Sequence, residues 1–502
     1  MAKHIMIQGT ASDVGKSLMA AAIGRIYTNE GLRVFPFKSQ NMALNSYITK
    51  TGAEMARAQV VQANACRREP DVLMNPILMK PSQDAQSQII IKGQVYGDLN
   101  ARDYHELKPQ LKPMLKEVMT QLDSENDLIV LEGAGSPAEI NLNDHDIVNM
   151  GMAEIADSPV ILVADIDRGG VFASIYGTIA LLKDQGKRIK GIIINKFRGD
   201  VSLLDPGIEQ IEDLTGVKVI GVVPYLPHVI ESEDSCDLHM EQTSYDASKA
   251  LDVCVIALEW IANFTDLNSL SLFEDVSLRY AKQAKQVGQP DLIIIPGTAN
   301  PLRALKDLED RDLARAIQAA VGKGSHLIAL GAGQTLLGQT LSDEAGNSYP
   351  GLDIFPYQST LTGAHEVYQT QCQTTYPLHE AGEKEGYALA AYEVRIYTIQ
   401  SQDHLSPFAR VVKRNGTSFS GNEGYCLEEG RLIASNLHGL FDNTAWTYAY
   451  LQALAKKKGV KLQGQLPQTY AAVMEEQFQE LAHHVLDHID KEALDRIIEG
   501  EE

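Results

Sequence analysis

The chain has little that would place it outside the cytoplasm or on a charged polymer. Its 502 residues include five cysteines, Cys66, Cys236, Cys254, Cys372 and Cys426. The odd number, scattered without a C-x-x-C pair or a metal-ligand spacing, argues against a disulfide framework and leaves the thiols reduced and mostly buried. No run of about 18 apolar residues suited to span a bilayer occurs. The opening "HIMIQGT" enters a strand pattern without a charged leader and cleavable apolar segment. These absences point to a cytoplasmic protein. Basic residues are also scarce, 44 Lys and Arg against 66 Asp and Glu for a net charge of −22, which disfavours nucleic acid and anionic membrane as partners. An anionic substrate then needs a local basic pocket. Internal repeats and long low-complexity segments are absent as well, and nothing in the sequence sets an oligomeric state.

What is present is an α/β pattern, repeated in two domains, in a chain too long for one core. Over residues 1–225 the runs "HIMIQG", "LRVFPFK", "LIVLEGAG", "PVILVADI", "KGIIINKF" and "VKVIGVVPY" alternate with helix-length segments. Continuous Val/Ile/Leu runs spaced in that way predict a doubly wound parallel sheet covered on both faces. Residues 226–250 turn polar and acidic and read as a linker. A second α/β domain follows over 251–445 with "LDVCVIAL", "PDLIIIPG", "SHLIALGAG", "ALAAYEVRIYTI" and "RLIASNLHGLF". Residues 446–502 read as helices without a chemical motif.

"GTASDVGKS", Gly9 to Ser17, stands between a strand and an apolar helix. It departs from G-x-x-x-x-G-K-[ST] in that Thr10 takes the first glycine slot, but the chemistry of a phosphate loop survives. Backbone N–H groups from Thr10 through Asp13 and Gly15 would wrap phosphates, Lys16 would reach the terminal ones, and Ser17 would offer its hydroxyl to Mg²⁺. An ordinary helix cap is the alternative. Further candidates stand where open α/β sheets bind ligands, at the carboxyl ends of strands. "PFKSQNMALNS" clusters Lys38, Gln40, Asn41 and Asn45; "VLEGAGSP" places Glu132 where a carboxylate can hold Mg²⁺ against ATP. Glu54 in "TGAEMARAQ" is a second candidate for that metal, with a helix-surface glutamate as the alternative. "VADIDRGGVFAS" and "NKFRGD" add Asp165, Asp167, Arg168, Asn195, Lys196 and Arg198, suited to grip a base or an anionic substrate or else to stand as solvated loop charge.

Taken in order, "QGTASDVGKS", "PFKSQNMALNS", "MNPILMKPSQDAQSQIIIKG", "EGAGSPAEINL", "ADIDRGGVFAS", "NKFRGD" and "GVVPYL" resemble the ATP-dependent half of cobyric acid synthases, relatives of dethiobiotin synthetase and cobyrinic acid a,c-diamide synthase. The resemblance implies a P-loop NTPase-type domain. It also implies amidation of the b, d, e and g carboxylates of adenosylcobyrinic acid a,c-diamide, a corrinoid, with one ATP per amide and ammonia drawn from glutamine. A carboxylate is a poor electrophile, so the γ-phosphoryl of ATP is transferred to it first and ammonia displaces the phosphate. That chemistry asks for positioning and charge neutralisation, which Lys16, Lys38, Ser17, Glu132 and Mg²⁺ would supply, with Gln40, Asn41, Asn45 and Arg168 toward the substrate.

The second half continues the resemblance through "ANFTDLNSL", "PDLIIIPGTANPL", "LGAGQTLLG", "AAYEVRIYT" and "NLHGLFDN", which are similar to the glutamine amidotransferase domain of that family, a flavodoxin-like sheet. "HLIALGAGQTLLG" reads as a strand, a tight glycine turn and a helix, the elbow on which many α/β enzymes present a nucleophile. The tip here is Gly331-Ala332-Gly333, which cannot attack anything. In the family this tip carries a cysteine, and a histidine of the L-H-G-L-F segment serves as its acid and base. His438 takes the histidine place, and Gly331 takes that of the cysteine. Ala299 follows P-G-T where a polar residue is usual, and Arg395 stands in a histidine slot. The resemblance then implies a ligase with an impaired glutaminase and free ammonia as nitrogen donor, in which His438 is a remnant or a structural residue. Competing readings are a non-catalytic pseudo-amidotransferase that binds nucleotide or corrinoid and regulates or scaffolds a partner, a partition-type ATPase, and the same chemistry on another carboxylated metabolite.

Overall fold

A computed structural model describes residues 2–83, 86–141, 143–228, 230, 242–376, 386–401 and 404–501. Part of the 226–250 linker, together with Cys236, lies outside the described residues. The first unit is built on six parallel strands in the order Val219–Pro224, Ile189–Phe197, Val160–Asp165, Lys3–Gly9, Leu128–Glu132, Val34–Phe37. Both faces are covered, because successive residues of a strand point to opposite sides. Met6, Ile129, Leu131 and Leu162 enter one apolar core with the amphipathic helix Ala101–Glu125. Ile5, Ile7, Val130 and Ile161 enter the other with the helix Lys16–Asn29.

The second unit has five parallel strands in the order Val276–Ala281, Leu251–Ile256, Leu292–Ile295, His326–Leu330, Leu432–Ser435, with Tyr425–Leu427 antiparallel at the edge. Packed with it is a second, largely antiparallel sheet dominated by the pair Gln358–Thr374 and Ala388–Gln400. The first strand of that pair, "QSTLTGAHEVYQTQCQT", is polar along most of its length and lacks the apolar run that marks a buried strand, so the sequence reading passes over it.

The C-terminal residues are divided between the two units. The helix Thr444–Lys458 packs Trp446, Tyr450, Leu451 and Leu454 into the second core. The helices Tyr470–Leu486 and Lys491–Glu499 return to the first unit, where Met474, Phe478, Leu481 and Leu494 close the core over the helix Lys16–Asn29. The fully buried Arg25 pairs with Glu475 and donates to the Ala65 carbonyl at 3.0 Å, so its charge is matched where water does not reach. A small sheet of Gln40–Met42, Ile77–Gln83, Gln86–Ile91 and Gln94–Asn100 extends from the first unit to the second.

Candidate functional site

The phosphate-type loop doubles back because Asp13 and Gly15 adopt left-handed backbone conformations, φ 59° and 98°. Gly15 has a second constraint, since a Cβ would lie 2.2 Å from Nδ2 of Asn195. That amide donates to the Val14 carbonyl at 2.9 Å. Asn195 therefore braces the loop from a neighbouring strand end. Lys196 donates to the Asp13 carbonyl at 2.5 Å and pairs with Asp165 at 3.0 Å. Arg168 pairs with Asp13 at 2.6 Å on the rim, and the Thr10 N–H donates to the Val163 carbonyl at 3.0 Å.

Lys16 is nearly buried and arches over the loop, its Nζ donating to the carbonyls of Ala11 at 2.9 Å and Gly135 at 3.1 Å. Glu132, at the end of its strand, is 1% exposed. Its Oε1 accepts from Ser17 Oγ at 2.7 Å and Lys38 Nζ at 3.2 Å, and its Oε2 accepts from Gln62 Nε2 at 2.5 Å. Burial opposes its charge, but Lys38, the Ser17 and Gln62 hydrogen bonds and Lys16 outweigh burial and hold the carboxyl below the usual range. Lys16, Ser17, Lys38 and Glu132 border a cleft of ≈ 500 Å³ that also takes in Gln40, Asn41, Lys108, Asp146 and Asn149. Gln40 accepts from Tyr104 at 2.6 Å, and Asn41 donates to Gln59 at 2.9 Å.

Two residues assigned to this site from sequence stand elsewhere. Glu54 is neither a neighbour of Ser17 nor a helix-surface residue. The chain is extended from Glu54 to Ala56 before the helix Arg57–Ala65 begins. This buries Glu54 between Lys80 at 2.7 Å and His365 of the second unit at 2.7 Å. Asn45 is also committed to the seam between units: its Oδ1 accepts from the Phe264 N–H at 2.9 Å, while the Ser46 N–H donates to Asn263 at 2.8 Å.

In the second unit the strand His326–Leu330 runs into a 3₁₀ turn over Gly331–Leu337, where the sequence predicts a regular helix. Gly331 has φ 50°, and a Cβ built on it would lie 2.5 Å from both Cε1 and Nε2 of His438. The turn is thus an elbow aimed at the histidine. His438 is buried, and its Nδ1 lies 2.6 Å from Asp266, which also accepts the Gly439 N–H at 2.8 Å. An acceptor carboxylate there assigns the proton to Nδ1 and leaves Nε2 as an acceptor facing position 331. Tyr392 stacks on the ring, centroids 5.3 Å apart.

Beside His438 is a cavity of ≈ 100 Å³ between Gly297, Thr298, Ala299 and Ala332 of the second unit and Lys80 and Gln88 of the first. Val394 and Ile396 border it, whereas Arg395, next along the same strand, projects from the other face and pairs with Glu393. The arginine in the histidine slot is therefore no part of the elbow pocket. Among the described residues no thiol borders this cavity. Cys66, Cys254, Cys372 and Cys426 are buried, and burial pushes the thiols of Cys66 and Cys254 up to about 12.

Three functional contacts have no signal in the sequence. Asp266 and His438 are 172 positions apart. Gln62 reaches Glu132 from a helix with no motif. Glu54, Lys80 and His365 are joined only by the docking of the two units.

Residues 5–237 match the CobQ/CobB/MinD/ParA nucleotide binding domain, and residues 252–446 match the CobB/CobQ-like glutamine amidotransferase domain. Fold and site thus define a protein that joins a P-loop-type nucleotide-binding unit to an amidotransferase-type unit. The chain is 47% identical over 509 residues to a cobyric acid synthase of Streptococcus sanguinis (strain SK36), covering 100% of both. It is 45% identical to one of Limosilactobacillus reuteri (strain DSM 20016), covering 99% of this chain and 98% of the relative. Against one of Photorhabdus laumondii subsp. laumondii it is 46% identical, covering 98% of each. The chain belongs to the cobyric acid synthase family.

Proposed function

We propose that the chain amidates the b, d, e and g carboxylates of adenosylcobyrinic acid a,c-diamide in cobalamin biosynthesis, using ATP and free ammonia, with the glutaminase step impaired. The names of its relatives support the reaction class. The impairment rests on one observation: at the elbow, a glycine faces a His438–Asp266 pair that has no thiol to activate.

Loop N–H groups and Lys16 hold the phosphate chain of ATP, and Lys38 offsets charge as the γ-phosphoryl moves. The substrate carboxylate oxygen attacks the γ-phosphorus and ADP departs. Ammonia then attacks the acyl carbon, inorganic phosphate leaves with the C–O electron pair, and a proton is lost from nitrogen. Ser17 and the ionised Glu132 are hard oxygen donors and fit Mg²⁺, with Gln62 orienting the carboxylate; bound there, the ion would neutralise phosphate charge. Gln40 and Asn41 border the same cleft and would hold the corrinoid carboxylates.

The test is ATP-dependent corrinoid amidation with ammonium or glutamine as sole nitrogen source. Turnover on ammonium with little on glutamine is expected. Efficient turnover on glutamine by the pure protein overturns the reading. Bound nucleotide or corrinoid without amide product under either condition favours the regulatory alternative.

A further inference from the structure

Three lysines border the cleft of the first unit, Lys16, Lys38 and Lys108. Two of them are engaged by the protein itself. Lys16 donates to the Ala11 and Gly135 carbonyls, and Lys38 pairs with Glu132. Lys108 is half-buried, yet among the described residues no carboxylate stands within ion-pair distance of its Nζ and no acceptor within hydrogen-bond distance. What Nζ meets is the ring of Tyr104, one helical turn earlier, 5.7 Å from the centroid. That is the outer edge of the range over which a ring face attracts a cation, so the ring supports the side chain and leaves its N–H donors unspent.

The wall that carries Lys108 is firmly anchored. The helix Ala101–Glu125 buries Tyr104, Leu107, Leu111 and Leu115 in the core, which sets Lys108 at the border of its apolar face. His105 packs on His145, ring centroids 4.7 Å apart, and so ties the helix to the loop that holds Asp146. Tyr104 also donates to Gln40 Oε1 at 2.6 Å, so the group that Gln40 has left for a ligand is its NH₂. Asp146 is spent on its own loop, accepting the N–H groups of Val148 at 2.8 Å, Asn149 at 3.0 Å and Gly151 at 2.8 Å. Burial therefore lowers the Lys108 amine below its ordinary range more than the nearby Asp146 raises it. A half-buried ammonium short of negative charge is a penalty that an anionic ligand removes.

We propose that Lys108 is a substrate-binding residue that, with the Gln40 amide, holds the corrinoid carboxylate about to be amidated and distinguishes it from an amide already made. This inference rests on the reading of the corrinoid as substrate. ATP phosphates are the other anions of the cleft, but they are served by Lys16, Lys38 and the loop, whereas Lys108 comes from a helix outside that cradle. A carboxylate accepts hydrogen bonds at both oxygens and matches an ammonium beside an NH₂ donor. Its amide product has no charge and turns an NH₂ of its own toward those donors. Each turnover thus weakens the hold on the group just made, and another carboxylate of the same corrinoid can take its place.

The experiment measures, by equilibrium dialysis on the full chain, binding of adenosylcobyrinic acid a,c-diamide and of its fully amidated product to the wild type, Lys108→Met and Lys108→Arg. KM for ATP is read alongside in amidation with ammonium chloride. Met keeps the length of the side chain and its contact with Tyr104 but removes the charge. Its affinity for the substrate should fall about tenfold or more, as for a lost hydrogen bond between charged groups, with product affinity and KM for ATP within about twofold of the wild type. Arg should recover most of the substrate affinity. Unchanged substrate binding in Lys108→Met overturns the proposal. So does an equal fall for substrate and product, the mark of a structural lysine, and so does an effect confined to KM for ATP, which puts the lysine on a phosphate. A wild type that does not bind the corrinoid overturns instead the reading on which the inference rests.

Discussion

The two pockets differ in how their polar groups are used. In the first unit Lys16, Lys38, Ser17, Gln62 and Glu132 are drawn together around one buried carboxylate at the edge of a cleft of ≈ 500 Å³. In the second, His438 and Asp266 are paired just as closely, but the pair faces a glycine and a cavity of ≈ 100 Å³. The first gathers two ammonium groups, a hydroxyl, an amide and a carboxylate at one strand end, while the second has an imidazole and its carboxylate packed against a backbone turn that carries no side chain. An elbow is a backbone property, so it persists when its side chain does not.

The largest effect expected is in the first pocket. Lys16→Ala should lower ammonium-dependent amidation about a thousandfold, in line with removal of one preorganised donor, measured as phosphate release. Native-like unfolding of the variant would separate this loss from a structural one.

Next comes the seam between the two units. Glu54→Gln leaves Lys80 and His365 without their anion, and breaking a buried pair of this kind costs about 3 kcal/mol or more. Burial works against the Glu54 charge, but Lys80 and His365 overcome it and hold the carboxyl far below the ordinary range. A folded pKa below the unfolded one gives stability that is full above the glutamate range near about 4.3 and is lost as pH falls below it. Urea midpoints from pH 7 to pH 3 should therefore fall less steeply in the variant.

Glu423 carries the opposite sign. Burial first and Glu393 second push it up to about 7, although it accepts the Asn436 N–H at 2.7 Å. The folded state then binds the extra proton, so stability declines as pH rises from the ordinary glutamate range through about 7. Glu423→Gln should stabilise by about 3 kcal/mol at pH 8 and change little at pH 5, read as a pH-dependent shift in Tm.

Gly331→Cys tests the comparison most directly. The left-handed φ of 50° and the His438 ring 2.5 Å from the new Cβ should cost about 1–2 kcal/mol of stability. Glutamate release from glutamine should appear where the wild type shows none; no release would mean that the pocket has lost glutamine binding along with the thiol. Smallest is Arg168→Ala. An exposed pair with Asp13 is worth less than about 1 kcal/mol, so a few-fold rise in KM for ATP or corrinoid without change in Tm would place Arg168 on a ligand.

Much of this was legible because it is contiguous. "GTASDVGKS" places its N–H groups, Lys16 and Ser17 within a few bonds of one another, and a strand before it and a helix after it leave the loop few conformations. The parallel strands were legible from their apolar runs, and the glycine at the elbow tip from one letter. The polar strand Gln358–Thr374 was not, since hydrophobic patterning is silent where a strand faces water on much of its length.

By itself, then, the sequence determined the two α/β units, the phosphate loop and the empty tip at Gly331, all set by neighbours along the chain. The tertiary structure alone decided that Glu54 and Asn45 serve the seam and that Gln62 holds Glu132. It also decided that the last two helices close the first core, and that Asp266 stands behind His438. Each of these joins groups that the covalent chain leaves free to part, and only the packing of buried surfaces brings a charge or an amide to the one partner that can satisfy it.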